Sequence, residues 1–168
     1  MATRLPVPSP DQLVSLYGER HRLCPTPNPE LHLVLSQDRP IDLIELEQLC
    51  DAVGWSRRPL RRVRKALQHS LLAVGLWRHE PRLPKLVGFA RCTGDGVVDA
   101  TVWDVAVHPL YQGAGLGKQL MDYVIAELRS MGVDRVSLFA DPHVVGFYKG
   151  QGWELEPLER RCAFWYAP

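Results

Sequence analysis

The chain has few cysteines, no long apolar run and almost no net charge, and each shortage removes a class of protein. Four cysteines occur in 168 residues, Cys24, Cys50, Cys92 and Cys162. They stand far apart with no C-x-x-C pair, which excludes a zinc knuckle, a thioredoxin-type dithiol and a dense disulfide framework. They read as reduced thiols of a cytosol-like compartment, and no metal site is expected. The longest apolar stretches, such as Leu71 to Trp77, fall far short of the ~20 residues that cross a bilayer. The start MATRLPVPSP has no apolar stretch behind its arginine, so neither a membrane span nor a secretory signal is expected. Twenty Lys and Arg against nineteen Asp and Glu leave a formal charge of +1. That field is too weak to draw the whole protein onto nucleic acid or an anionic membrane.

What is present fits one globular domain: 46% of positions are apolar and 23% charged, enough to bury a real core. Six of the fourteen prolines fall in residues 1–29. Proline at that density blocks ladder and helix hydrogen bonds, so 1–29 reads as a tail or wrapping segment and 30–168 as the folded domain, starting near Leu31. LHLVLS then reads as a strand. Asp42 caps a helical run that ends at Gly54, and Pro59 opens a second helix to His69 with a narrow stripe of Leu60, Val63, Ala66 and Leu67. SLLAVGLWR, KLVGFARC and VVDATVWDVAV are β-branched and aromatic and read as three sequential antiparallel strands. Leu116, Leu120, Met121, Val124, Ile125 and Leu128 mark one face of a strong helix closed by Gly132. VDRVSLFA predicts a strand, Asp141 and Pro142 the cap and first residue of a short helix to about Lys149, and WELEPLERRCAFWYAP one or two final strands.

The most specific local feature is the run Val105 to Lys118, a strand that passes through Gly113, Gly115 and Gly117 into the strong helix. Such a loop aims free backbone N–H groups and the positive end of a helix dipole at one point, which suits a phosphate. It is not a Walker A loop, since three residues separate Gly113 from Gly117 and Gln119 follows Lys118. Nor is it a dinucleotide fingerprint, because the glycines are spaced two and two. A tight helix entry with no ligand is the other reading of the glycines.

Gln112-x-x-Gly115-x-Gly117, after a strand ending Val105-Ala106-Val107, resembles the acetyl-CoA signature of GNAT-superfamily N-acetyltransferases. The resemblance covers most of the chain from Leu31 onward. It implies an α/β fold with a central, mixed but mostly antiparallel twisted sheet, flanked by about four helices and splayed at the acetyl-CoA site. It implies that Gly113, Ala114, Gly115, Leu116, Gly117 and Lys118 give backbone N–H groups to the pyrophosphate, with Gln112 also among the coenzyme-binding residues, and that the backbone of Val105, Ala106 and Val107 pairs with the pantetheine arm. Tyr148, in GFYKGQGW, matches the family tyrosine near the coenzyme sulfur. Finer matches, GWSRRPLRRVRKAL, FADPHVVGFYKGQGW and the terminal FWY, resemble the plastid and cyanobacterial branch that includes plant serotonin N-acetyltransferases. That branch also acetylates protein amines. The implied co-substrate is acetyl-CoA. The implied acceptor is serotonin or a related arylalkylamine, with a protein lysine or a polyamine as the alternative, in a cyanobacterial-type cytosol or a plastid stroma. A second copy of the chain is a candidate partner. A non-catalytic acetyl-CoA-binding regulatory module is the reading from a different class.

Acetyl transfer to an amine sets its own demands. An alkylamine with a pKa of ~10.4 sits ~3 units from favourable ionisation at pH 7, a handicap of roughly 4 kcal/mol, so its proton must go somewhere. The departing thiolate gains from a proton donor. Tyr148, a phenol protonated at neutral pH, suits that role and is the expected general acid; plain core packing is the other reading. Asp141, seven residues before it, is the candidate base, or else an ordinary helix cap. His108 and His143 are candidate relays or surface residues. Trp103, Asp104 and Trp55 are candidates for an aromatic, acidic acceptor pocket, against a plain core role. Arg57, Arg58, Arg61, Arg62, Arg64 and Lys65 put six cations into nine residues. They could bind the coenzyme 3′-phosphate, an acidic protein or RNA, though a solvated helix face is the plainer reading.

Overall fold

A computed structural model describes residues 6–80 and 82–168. They form two compact units, one running to Leu138 and the other from Phe139 to Pro168.

The first unit is built on a six-stranded sheet, β1 (His21–Cys24), β2 (Leu33–Ser36), β3 (Leu72–Arg78), β4 (Lys85–Gly94), β5 (Asp99–Val107) and β6 (Arg135–Leu138), in sequence order across the sheet. The first five pair antiparallel and β6 joins β5 in parallel. The parallel step needs a crossover, which α4 (Leu116–Ser130) supplies. The expected mixed, mostly antiparallel sheet is thus present. The proline-rich start contributes α1 (Pro10–Tyr17) and the edge strand β1. Ser9 and Gln12 close a capping box at the start of α1, so the prolines bracket ordered structure.

Strand alternation divides the core between two faces. On one, Val34, Trp77, Phe89 and Ala106 pack with Leu13 and Tyr17 of α1 and with Leu46 and Leu49 of α2 (Leu43–Ala52). The Trp77 indole lies against Gly75, where a Cβ would come within 2.2 Å of the ring, so glycine is required there. On the other, Leu33, Leu35, Val74 and Leu76 are buried under α4, which packs on β3, β4 and β5 through Leu116, Leu120, Val124 and Leu128. Helix α3 (Leu60–Gln68) buries no residue fully and carries Arg61, Arg62, Arg64 and Lys65 of the basic cluster, Arg57 and Arg58 lying on the loop before it.

The second unit holds a 3-10 turn at Pro142–Val144, the short helix α5 (Val145–Lys149) and a further 3-10 turn at Pro157–Glu159. The final strands expected over 153–168 are not formed. Glu156, Leu158 and Glu159 have φ of 45°, 56° and 58°, a left-handed kink around Pro157 that no extended ladder accommodates. Phe164, Trp165 and Tyr166 are left exposed.

Candidate active site

The edge of β5 sets the site. Strand β6 pairs with β5 only from Asp99 to Val102, opposite Arg135 to Leu138. Among the described residues of the first unit, no strand continues along that edge from Trp103 to Val107. The backbone of Val105, Ala106 and Val107 is therefore open to an extended ligand on one side, while Gly88 and Phe89 of β4 hold Val107 and Ala106 on the other.

Past Val107 the chain makes a 3-10 turn at Pro109–Tyr111 and enters the glycine loop. The Gln112 amide donates to the Val107 carbonyl at 2.8 Å, tying the loop to the strand end. Gly113 and Gly115 adopt φ of 82° and 76°, which side chains resist. Gly115 caps α4, and the first intrahelical bond runs from the Gln119 N–H to the Gly115 carbonyl. The N–H groups of Leu116, Gly117 and Lys118 thus have no helical acceptor and point out of the helix start. Lys118 spends its charge on Asp122 at 2.6 Å. His108 holds the turn, its Nδ1 accepting the Leu110 N–H at 3.2 Å.

Next to the open edge lies a β-bulge. Asp104 and Val105 together oppose Ala90, between the pairs Arg91 with Trp103 and Phe89 with Ala106. Asp104 takes φ of 55°, a conformation aspartate tolerates better than most residues. The bulge turns its carboxylate onto Arg91 Nε at 2.6 Å and Arg58 at 3.2 Å. Above this cluster is a cavity of about 640 Å³ between α2, α3 and the sheet, walled by Trp55, Cys50 and Phe89. Two of the three pocket residues read from sequence meet there, Trp55 and Asp104. Trp103 is not in the cavity wall, and its indole N–H donates to Thr93 Oγ1 at 2.8 Å, one residue pair away from the bulge. Arg91, Phe89 and Cys50 were not legible as site residues, because alternation marks a strand face without saying what covers it. Arg57 pairs with Asp51 at 2.6 Å.

In the second unit, Tyr148 is buried and packs edge-on against Phe147 and Trp153. Burial pushes its phenol above the ordinary value, and the negative charge of Asp141 adds to that shift. The Asp141 side chain makes no cap hydrogen bond to the turn it precedes, so the capping reading does not account for it. His143 is exposed.

The GNAT acetyltransferase family matches residues 41–153 of the chain. A Prochlorococcus marinus protein described as an uncharacterized N-acetyltransferase, ycf52-like, is 60% identical over 152 residues, covering 90% of this chain and 84% of its own length. A rice protein named serotonin N-acetyltransferase 2, chloroplastic, is 41% identical over 120 residues, 70% of this chain and 58% of that one. A probable acetyltransferase from meticillin-resistant Staphylococcus aureus shares the fold with a TM-score of 0.67 at 23% identity, over 80% of this chain and 99% of that one. An open strand edge that runs into a glycine-lined helix start, in a chain with these relatives, is that of an N-acetyltransferase: the chain belongs to the GNAT acetyltransferase family.

Proposed function

We propose that the protein transfers acetyl from acetyl-CoA to a primary amine by direct attack in a ternary complex. The observation that carries this is the continuous path from the β5 edge at Val105 to Val107, which β6 does not reach, to the three N–H groups at the start of α4 that have no helical acceptor. The first offers an amide ladder to a pantetheine arm, and the second a cradle for a pyrophosphate. When bound, acetyl-CoA supplies the thioester carbonyl. The amine nitrogen attacks that carbon, the new C–N bond forms, the C–S bond breaks, and the amine sheds one proton. Tyr148 Oη gives its proton to the departing sulfur, a role its raised pKa suits. Asp141, exposed and without a cap bond, takes the amine proton directly or through water.

The cavity beside Asp104 is the acceptor site on this reading. Its Trp55 and Phe89 walls suit an arylalkylamine such as serotonin, and the name of the rice relative supports that class. Release of free thiol from acetyl-CoA, measured against serotonin, tryptamine, a polyamine and a lysine peptide with an amine-free control, tests the activity. Tyr148→Phe keeps the aromatic packing, so acetyl-CoA binding should persist while turnover falls at least tenfold. Unchanged turnover removes Tyr148 from the chemistry. Coenzyme binding without turnover of any amine favours a regulatory binding module.

A further inference from the structure

The acceptor cavity has the wrong sign for a simple cationic amine. Its wall carries Arg57, Arg58, Arg62, Lys65 and Arg91 against only Glu47 and Asp104, an excess of three positive charges. Both carboxylates are already engaged, Glu47 by Arg57 at 3.5 Å and Asp104 by two arginines at once. The unengaged charges come from α3. Its apolar residues Leu60, Val63, Ala66 and Leu67 turn inward, which places Arg62 and Lys65, three residues apart, along the flank that borders the cavity. Neither has a carboxylate partner among the described residues, whereas Arg57 and Arg58 on the preceding loop do.

This arrangement has two effects on an incoming acceptor. Like charge disfavours the ammonium form, which helps produce the neutral amine that attack requires. The same field lowers affinity for an acceptor whose only charge is that ammonium. Binding then has to come from elsewhere on the molecule, and two unpaired cations at one edge of an aromatic cavity supply it for an anion. We infer that Arg62 and Lys65 form an anion subsite, and that the preferred acceptor is an amine carrying a carboxylate on the same molecule. This rests on the cavity being the acceptor site. A small amino acid or an acidic peptide presents the same chemistry.

The test compares kcat/KM for matched pairs in the thiol-release assay, with acetyl-CoA affinity measured separately by calorimetry. One pair is serotonin and 5-hydroxytryptophan, which differ by a carboxylate; the other is a lysine peptide flanked by glutamates and the same peptide flanked by glutamines. The expected result is at least a tenfold preference for the acidic member of one pair at low salt, shrinking as salt rises. Which pair shows it identifies the source of the carboxylate. Arg62→Gln with Lys65→Gln should remove most of that preference. Arg61→Gln with Arg64→Gln, on the same helix but outside the cavity wall, should retain it. Equal rates within both pairs, a preference for the neutral members, or equal losses in the two double variants would overturn the subsite. If acetyl-CoA binds and no amine turns over, the acceptor reading of the cavity fails first and the subsite with it.

Discussion

Asp104 is the residue at which strand geometry and cavity electrostatics meet, so its replacement separates the two. Its carboxylate and the Arg91 guanidinium are 15% and 17% exposed, while Arg58 is 62% exposed. The Arg58 contact is a surface pair that contributes no more than about 1 kcal/mol. The Arg91 contact lies nearer the buried limit, where removing one partner costs ~3–5 kcal/mol, and its residual access to water lowers that to about 2 kcal/mol. Asp104→Asn keeps the side-chain shape, leaves an oxygen for Arg91 and tolerates φ of 55°. It should destabilise by about 2 kcal/mol, chiefly the lost charge. Asp104→Ala loses the same charge and must also hold a left-handed backbone without a polar side chain, adding about 1 kcal/mol. Urea unfolding monitored by tryptophan fluorescence, with an unchanged m-value, gives both numbers. If the alanine variant is no worse than the asparagine variant, Asp104 is not held in the left-handed region. If both fall within about 0.5 kcal/mol of wild type, the arginine cluster contributes nothing to stability.

His79 is buried with Nδ1 3.0 Å from the Tyr17 hydroxyl, and burial, aided by nearby His32, pulls its pKa below the ordinary value. The unfolded chain then binds a proton that the native state refuses, so stability should fall as pH drops below about 6.5 and level off under the folded value. His79→Gln should flatten that dependence in urea midpoints. Burial pushes the Cys24 thiol to about 11 and Cys92 to about 12, while Cys162 is exposed. Iodoacetamide near pH 8 should therefore label Cys162 first and the buried pair only on unfolding, read by mass spectrometry. The Cys50 thiol in the cavity wall is also pushed up, by burial and then by Asp104, so no acetyl-cysteine should be trapped when the amine is omitted. The pH profile of kcat should show no alkaline loss assignable to Tyr148 below about pH 10, since its phenol is raised. A drop near pH 8 would contradict its role as the acid.

Much of the first unit was legible because its signals are local and mutually consistent. The stripe from Leu116 to Leu128 fixes α4, the positive-φ glycines fix its entry, and the β-branched runs fix β3 to β5. What was not legible depends on partners distant in sequence. The first 29 residues look unsuited to regular structure by proline count, yet Leu13 and Tyr17 between the proline clusters are buried in the core. The end looks like strands by composition, but a strand exists only with a ladder, and the kink at Glu156 to Glu159 breaks one. The bulge is the sharpest case. One extra residue between Trp103 and Ala106, opposite the single Ala90, decides where Asp104 points, and nothing in VVDATVWDVAV announces it.

The bulge also explains why the acidic pocket expected from Asp104 became a basic one. A carboxylate aimed into a half-buried cavity needs a counter-charge. The fold provides Arg91 from the neighbouring strand and Arg58 from the loop before α3, so the cluster ends with more positive charge than negative. With Asp104 occupied in this way, an acceptor ammonium would have to displace Arg58 to reach it, exchanging one cation for another with no gain in charge complementarity. The cavity therefore gives little reward for positive charge. In the proposed reaction the amine must arrive neutral and the sulfur must leave protonated. A like-charged wall serves the first requirement, and a buried phenol with a raised pKa serves the second. Each is set by the protein's own residues, so Arg62→Glu with Lys65→Glu, which reverses the charge of the wall and favours the bound ammonium, should raise the pH at which kcat for serotonin reaches its plateau.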